Sequence, residues 1–420
     1  MNSAPQSINT EDLRSANYVP DFFVHPPKSG GSSVLSFFAI NNGPEGFARF
    51  VVDEPGWPAM MEELRRTGLG GGHQNYGFHV LNKTPLDYVT IFRDPLQRQI
   101  SHYWYAVTGK NGDIEQGFAS ISHAEALARA GRITLDEWVA GSHDGGNIFV
   151  KMLSGRAVAD DEAFCLAKEN IERRFLAVGD CADVSEFLLL LCARSKFDLP
   201  FYFPTNVTKA GGEKRVPVSQ WAKDKFAADN ALDYKFFDFA KAQLAEDIKS
   251  LGEGFLEALE VIRKVQDAIN RLENPYRYAS SESGFDGGYI AEVREVILQS
   301  DLTAINDFLA SARSRYRETS DFVDGALDSV EHGVVSGWAI NLARPESIVK
   351  LEILAGGSVV ATGRTGAARP DVAAAGYMSS NTGFRIELPP EAGSEFVIRV
   401  AGSHENIRGG GRWVQGWHRA

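Results

Sequence analysis

A lysine, two glycines and three serines stand side by side near the start of the chain, in the run Lys28-Ser29-Gly30-Gly31-Ser32-Ser33. The apolar run Phe22 to His25 before it predicts a buried strand, and the apolar run Val34 to Phe38 after it predicts a helix. A helix that begins directly after a glycine turn presents backbone N–H groups and the positive end of its dipole, which favour an anion. Lys28 adds a point charge. The pattern therefore predicts an anion-binding loop, with a plain turn as the alternative.

A second candidate anion site follows the run Asp87 to Phe92, which predicts another buried strand. Asp94-Pro95 suit the N-cap and the first position of a helix. Ser101 lies on the helix face that is in line with the helix start, next to Arg93. A guanidinium and a hydroxyl together suit a phosphate dianion, and a pairing of Arg93 with a neighbouring carboxylate is the alternative. We interpret Arg98 as a helix-surface residue in an ion pair.

His73 lies between these two segments, directly after three consecutive glycines at positions 70–72. The glycines predict a stretch without regular secondary structure that approaches another part of the molecule closely. Histidine side chains titrate near neutral pH, so His73 is a candidate general base. We interpret the nearby His79 as structural.

These three segments resemble the motifs of sulfotransferases that use 3′-phosphoadenosine 5′-phosphosulfate (PAPS), and they stand in the order typical of that family. The first is similar to the family loop Pro-Lys-Thr-Gly-Gly-Thr-Ser. The run Gly72-His73-Gln74-Asn75-Tyr76 is similar to the Gly-His-x-x-Tyr segment of polysaccharide sulfotransferases, although Gly71 stands where some relatives have a second histidine. The run from Arg93 to Ser101 is similar to the 3′-phosphate motif. Weaker similarities extend the resemblance over residues 20–250. The runs 135–139 and 147–155 are similar to the acceptor-side region of the family, and 167–179 to a helix and its third strand. The runs 206–209 and 233–234 are similar to the loop on the donor (cofactor) side and the last helix.

The resemblance implies an enzyme that transfers a sulfonate group from PAPS to a carbohydrate hydroxyl and releases 3′-phosphoadenosine 5′-phosphate (PAP). The nine histidines show no His-Glu-x-x-His spacing, so we expect no metal. His73 would be the general base, and Lys28 would stabilise charge on the leaving phosphate. Arg93 and Ser101 would bind the 3′-phosphate. The 5′-phosphosulfate would be held by the loop residues Lys28, Ser29, Gly30, Gly31, Ser32 and Ser33.

Two other classes of function stay open at this point. A P-loop kinase also uses a lysine-bearing loop, but in the Walker A pattern the glycines precede the lysine, and we find no convincing Walker B acidic strand end to hold magnesium. The second is a non-catalytic glycan-binding protein.

The later part of the chain predicts two further regions. We expect a catalytic domain at 18–250 with helices around a parallel, P-loop-like sheet. A helical linker or dimerising arm is expected at 251–320. Its apolar spacing predicts helices from Phe255 to Leu272 and from Ile290 to Tyr316. Short alternating runs then predict a small antiparallel β-sandwich at 325–420, with a hairpin turn at Ala355-Gly356-Gly357.

The last region resembles an accessory module of bacterial surface-polysaccharide enzymes, in runs such as Ser336-Gly337-Trp338-Ala339, Arg369-Pro370-Asp371-Val372 and Thr382-Gly383-Phe384. Trp338 is either a sugar-stacking platform or a buried aromatic side chain. The resemblance implies a surface or extracellular polysaccharide, or its precursor, as the carbohydrate acceptor.

Composition limits the partners and the compartment. The net charge of the 420 residues is −12, which argues against nucleic acid as a partner. No apolar run is long enough to span a membrane, and the first residues lack the pattern of a signal peptide. The cysteines, 165, 181 and 192, are odd in number and form no Cys-x-x-Cys pair, which is typical of a reducing cytoplasm. We expect a cytoplasmic protein, free or peripheral to a membrane, with homo-oligomerisation through the arm or the last domain left open.

Overall fold

The structure, a computed structural model, describes residues 20–50, 57–79, 85–108, 122–205, 217–277, 284–316, 323–342, 344–392, 395–401, 407 and 413–414. These residues divide into two compact units. The first holds positions 20–77 and 87–316, and the second holds positions 323–414 together with 78–79 and 85–86.

The first unit is built on a parallel sheet of five strands, which confirms the predicted α/β class. The strands are β1 (Asp21–Val24), β2 (Ala48–Phe50), β3 (Leu69–Gly72), β4 (Asp87–Phe92) and β5 (Phe175–Asp180). They pair in the order β2-β3-β1-β4-β5, so the chain builds one side of β1 before it crosses to the other. In open parallel sheets a crevice forms at such a switch point, outside the carboxyl ends of the strands.

Helices flank this sheet. In chain order they are α1 (Gly31–Asn42), α2 (Trp57–Thr67), α3 (Pro95–Thr108), α4 (His123–Arg129), α5 (Leu135–Ala140), α6 (Ile148–Ser154), α7 (Asp161–Arg174), α8 (Val184–Arg194), α9 (Gln220–Asp229), α10 (Ala231–Leu251), α11 (Glu253–Ile269), α12 (Gly287–Leu298) and α13 (Thr303–Tyr316). The helix expected from Ile290 to Tyr316 is therefore two helices. The carboxylate of Asp301 accepts the N–H of Thr303 at 3.0 Å, which starts the second one.

The helices after residue 252 bury their apolar stripes in the same core as the sheet. Phe255 and Ile262 of α11, Ile290 of α12 and Phe308 of α13 belong to one cluster with the apolar residues of α1, β1, β5 and α8. Arg294 of α12 also donates to two backbone carbonyls at the end of α1, at 2.7 and 2.9 Å. These helices thus support the sheet from which the cavity described below is built.

The expectation that the three glycines before His73 lack regular structure is wrong, because they form β3 between β1 and β2. Added Cβ atoms at Gly70, Gly71 and Gly72 would lie 2.8, 2.3 and 2.1 Å from the backbone oxygens of Ala48, Phe23 and Phe50. The expectation of a close approach is confirmed, and the neighbouring backbones are those of the two adjacent strands. Strand β3 thereby delivers His73 to the carboxyl edge of the sheet.

The second unit contains two antiparallel sheets. Its elements are β6 (Val323–Glu331), β7 (Val334–Asn341), β8 (Lys350–Ala355), β9 (Ser358–Arg364), α14 (Pro370–Ala374), β10 (Gly383–Glu387), a 3₁₀ turn (Pro390–Ala392), β11 (Glu395–Val400) and β12 (Trp413–Val414). One sheet has the order β10-β7-β6 and the other β12-β11-β8-β9, and apolar side chains of both form one core.

Two local predictions for this unit are confirmed. The turn between β8 and β9 has positive φ angles at Gly356 and Gly357, as a tight hairpin requires. Trp338 is 8% exposed and packs 4.8 Å from the ring of Tyr377, so it is a buried aromatic side chain. A sugar could not stack on it in this arrangement. Across both units, none of the helices in the described ranges combines the length and apolar character needed to cross a membrane.

Candidate functional site

Most of the residues singled out in the sequence line one cavity of about 590 Å³ in the first unit. The loops that follow β1, β3 and β4 carry them there, because parallel strands end at the same edge of the sheet. The predicted residues that line the cavity are Lys28, Gly30, Gly31, Ser32, Ser33, His73, Arg93 and Ser101. Ser29 is the exception. Its side chain is fully buried away from the cavity lining, and its hydroxyl has no hydrogen-bond partner in the described part of the chain.

The loop after β1 needs its two glycines for distinct reasons. Gly30 is left-handed, with φ 83°, and its backbone passes so close to Cys181 that an added Cβ would lie 3.0 Å from the Cβ of that residue. An added Cβ on Gly31 would lie 1.9 Å from the imidazole of His25. Glycine at these positions therefore lets α1 begin directly at the cavity without backbone strain at residue 30 or a shift of the His25 ring.

The start of α1 is suited to an anion from outside the helix. Its N-cap residue is Gly30, which offers no side chain to cap the first turn, and that turn holds no acidic residue. Helix N–H groups that lack an internal acceptor and the positive end of the helix dipole bind anions well. Gly31, Ser32 and Ser33, the residues of this first turn, all line the cavity.

Two cationic side chains stand beside this helix start. The ammonium of Lys28 lies 4.2 Å from the centre of the Tyr105 ring, on α3. The guanidinium of Arg93 donates to the backbone carbonyl of Lys28 at 3.3 Å, which ties the end of β4 to the loop after β1. Arg93 forms no ion pair with a carboxylate among the residues described, so the alternative of a structural pairing is not the observed arrangement. Both cations line the same cavity.

A hydrogen bond of defined geometry orients the His73 ring. Its Nδ1 lies 2.7 Å from the carbonyl oxygen of His25, and its ring centre lies 4.5 Å from that of His25, which itself stacks on Phe23. A carbonyl oxygen can only accept, so Nδ1 carries the proton and Nε2 is the basic nitrogen. The side chain is exposed at the cavity. His79 is buried and is not part of the cavity lining.

Helix α3 begins as predicted, but one of its residues is placed differently. The carboxylate of Asp94 accepts the N–H of Gln97 at 2.8 Å, as an N-cap does. The interpretation of Arg98 as a surface residue is wrong, since it is 1% exposed. Its guanidinium donates to the Gln99 side chain at 2.7 Å and to the Gly145 carbonyl at 3.2 Å, and burial lowers its pKa to about 10. The face of α3 expected to be solvated packs instead against the segment that follows α5.

The cavity also has residues that the sequence reasoning missed. Those outside the motifs are His25, His102, Tyr105, Ser122, Glu125, Asp144 and Thr205. One signal was available: the run Ser122-His123-Ala124-Glu125 has the spacing of a capping box, and Ser122 and Glu125 do form one at the start of α4. The other residues belong to no local pattern, because a helix face and two loops bring them together.

His102 and Glu125 form a pair within this lining. His102 Nε2 lies 3.1 Å from a carboxylate oxygen of Glu125, whose other oxygen accepts the Ser122 N–H at 2.8 Å. Burial raises the pKa of Glu125, but the hydrogen bonds from His102 and Ser122 outweigh it and leave that pKa below its usual value. Glu125 is therefore ionised at neutral pH. The His102 ring also meets the edge of Trp138 at 5.2 Å.

A buried network connects α6 with α10 behind the cavity. Asp233 accepts the N–H groups of Phe149 and Val150 at 3.2 and 3.0 Å, and Asn147 accepts the N–H of Asp233 at 3.1 Å. Burial raises the pKa of Asp233 to about 6. The segments around 147–155 and 233–234, which the resemblance had grouped with the acceptor and donor sides, thus contact each other. The predicted donor-side loop at 206–209 lies outside the described residues.

No family model matches the chain, and no curated protein matches it. The function is therefore inferred from the cavity and from the motifs in the sequence.

Proposed function

We propose that the chain is an O-sulfotransferase that transfers the sulfonate group of PAPS to a hydroxyl of a carbohydrate. The observation that supports this most directly is the convergence of an uncapped helix start, two cations and a histidine on one cavity. Those groups come from three adjacent strand ends, in agreement with the order of the three motifs along the chain. The donor supplies a good leaving group, a phosphate, so the protein has to position and neutralise more than it has to react.

The donor has two anionic ends, and the cavity offers two sets of partners. The first turn of α1 and Lys28 suit the 5′-phosphosulfate, because backbone N–H groups and an ammonium neutralise charge on phosphate oxygens. Arg93 and Ser101 suit the 3′-phosphate, since a guanidinium offers paired donors and a hydroxyl adds another. Ser29 contributes through its backbone in this scheme, because its side chain is buried away from the cavity.

His73 serves as the general base. Its Nε2 takes the proton of the acceptor hydroxyl while that oxygen forms a bond to sulfur and the bond from sulfur to the bridging phosphate oxygen breaks. The hydrogen bond from Nδ1 to the His25 carbonyl keeps the ring in the required tautomer and stabilises the imidazolium that forms. Lys28 stabilises the negative charge that develops on the bridging oxygen of the leaving PAP.

Neither rival function has a comparable observation in its favour. A kinase of the P-loop class needs carboxylates to hold magnesium near the phosphates. The first turn of α1 holds no acidic residue, and Asp180 at the end of β5 does not line the cavity. The two carboxylates that do line it, Glu125 and Asp144, accept hydrogen bonds from His102 and Ser122. A purely glycan-binding role leaves the cations at the helix start without a purpose.

The direct test is transfer of labelled sulfonate. The purified chain is incubated with sulfur-labelled PAPS and a panel of neutral, amino and acidic oligosaccharides, and the products are resolved by mass. We expect a mass increase of one sulfonate group on at least one oligosaccharide, dependent on His73. Phosphate transfer from ATP with magnesium, and none from PAPS, would instead identify a kinase.

A further inference from the structure

One part of the cavity lining, which comes from His102 of α3 and from later segments of the chain, differs in charge from the part supplied by the loops after β1 and β4. Ser122 and Glu125 at the start of α4, Asp144 in the loop after α5, His102 on α3 and Thr205 line it, and we refer to these five residues as the acidic wall. The loops after β1 and β4 contribute Lys28 and Arg93 to the cavity, whereas the acidic wall contains no lysine or arginine. One cavity therefore combines an anion-binding part with a part of opposite charge.

The carboxylates of the acidic wall are held in place. Asp144 accepts the Ser122 hydroxyl, and Glu125 accepts the His102 ring and the Ser122 N–H. Glu125 stays ionised at neutral pH because those hydrogen bonds favour its charged form. Asp144 is exposed at the cavity and has room for a further donor, since a carboxylate accepts about four hydrogen bonds.

Two buried polar atoms of the acidic wall still lack a partner. His102 and Thr205 are 8% and 7% exposed, and within the described residues neither His102 Nδ1 nor the Thr205 hydroxyl has a hydrogen-bond partner. In the neutral ring the carboxylate of Glu125 keeps the proton of His102 on Nε2, and Nδ1 is then an acceptor. Buried polar groups without a partner are costly, and a bound group that reaches them would relieve that cost.

We propose that the acidic wall is the acceptor subsite and that it selects a sugar carrying an ammonium group near the reacting hydroxyl, against sugars carrying carboxylates or sulfates. This rests on the proposed function. An ammonium offers three donors and one positive charge, which complement the acceptors of Asp144, Glu125 and His102. An anionic sugar would meet the same carboxylates with like charge and would leave the buried acceptors unpaired.

The test compares three oligosaccharides of equal length: a glucosamine tetramer, an N-acetylglucosamine tetramer and a galacturonate tetramer. Affinity for each is measured by calorimetry with the chain alone and with PAP present, at a pH where the amine is protonated. We expect the glucosamine tetramer to bind best and the galacturonate tetramer worst. The substitution Asp144→Asn, which keeps the shape and removes the charge, is expected to reduce the preference for glucosamine over galacturonate by about three- to tenfold.

Two further variants keep the result interpretable. Glu125→Gln retains a side-chain acceptor for the capping box and is expected to act in the same direction as Asp144→Asn. Glu246→Gln, on α10 and outside the cavity lining, removes the same charge elsewhere and is expected to leave the preference unchanged. Equal or better binding of galacturonate by the unmodified chain, or an unchanged preference in both wall variants, would overturn the proposal.

Failure of this inference and failure of the proposed function give different results. Absence of PAP binding removes the donor assignment, while the order of the three tetramers on the chain alone still decides the preference of the acidic wall. PAP binding and sulfonate transfer with a preference for galacturonate would retain the sulfotransferase and reject the acceptor class.

Discussion

At the scale of single residues, the account depends on which nitrogen of His73 is basic. The Nδ1–H donates to the His25 carbonyl at 2.7 Å, so Nε2 accepts protons at the cavity. The motif placed a histidine at this position, but the tautomer follows only from the structure. The carbonyl belongs to the residue directly after β1, so the pairing of β1 with β3 fixes His73 next to the glycine loop at residues 28–33.

Removal of this base should slow turnover and leave donor binding intact. We expect His73→Ala to lower kcat by about 10²- to 10⁴-fold, the usual contribution of a general base, while the affinity for PAP stays near that of the unmodified chain. Steady-state kinetics and PAP calorimetry measure the two quantities separately. His79→Ala is the matched control and should retain kcat, since His79 does not line the cavity. Full turnover by His73→Ala at neutral pH would mean that another group is the base.

At the scale of elements, β3 is unusual because glycines make up most of it and because it lies between two other strands. Its backbone is so close to both neighbours that an added Cβ on Gly72 would meet the Phe50 carbonyl oxygen at 2.1 Å. The strand therefore positions His73 through backbone contacts that no side chain could replace.

Substitution of Gly72 should consequently destabilise the fold. We expect Gly72→Ala to lower the free energy of unfolding by about 1–3 kcal/mol, the usual cost of overpacking, as measured by urea denaturation. Gly287, in the first turn of α12, provides the control, because an added Cβ there has open space and the backbone φ is not positive. Gly287→Ala should be neutral or stabilising, because alanine is a better helix former. Equal effects of the two substitutions would argue against steric crowding in β3.

The contrast between β3 and the other elements shows what local sequence can predict. Apolar runs mark β1, α1 and β4, a glycine turn precedes α1, and an Asp-Pro pair starts α3. These signals lie within a few residues of one another, so the boundaries of the four elements were predictable. The glycines of β3 have no strand propensity of their own, and their strand forms because Phe23 and Phe50 on either side supply the hydrogen-bonding edges. Arg98 was misassigned for a similar reason, since Gly145, whose carbonyl accepts from its guanidinium, is 47 residues away in sequence.

At the scale of the whole molecule, the first unit has a buried charge at the end of the sheet opposite to the cavity. Lys196 donates to the Gly68 carbonyl at 3.3 Å and lies 3.9 Å from the carboxylate of Asp21, the first residue of β1. The ammonium and the carboxylate are too far apart for a hydrogen bond, so burial has the largest effect on the pKa of each group. It lowers the pKa of Lys196 to about 7, and burial followed by the charge of Asp87 raises the pKa of Asp21.

The depressed pKa of Lys196 predicts a pH-dependent stability. In the unfolded chain a lysine keeps its proton up to about pH 10.4, whereas the folded chain loses it near pH 7, so folding releases a proton between these values. Stability should rise over this window, by at most about 1.4 kcal/mol per pH unit. Urea denaturation from pH 6 to pH 10 measures the slope.

Lys196→Met should flatten this rise, because the titrating group is gone. Lys225→Met is the control, since Lys225 is half-exposed on α9 and should leave the slope as it is. A slope that persists in Lys196→Met would assign the pH dependence to another group.

The central claim for the whole molecule is that the cavity binds a nucleotide with two phosphate ends. Calorimetry with PAP and with adenosine 5′-monophosphate, which lacks the 3′-phosphate, tests it most directly. We expect PAP to bind more tightly than adenosine monophosphate. The substitution Arg93→Ala should weaken the affinity for PAP by about 10- to 100-fold, because a charged contact to the 3′-phosphate is lost. The affinity for adenosine monophosphate should change little. Arg65→Ala, on the exposed face of α2, should change neither affinity. Equal affinities for the two nucleotides, or an equal loss of both in Arg93→Ala, would contradict the account.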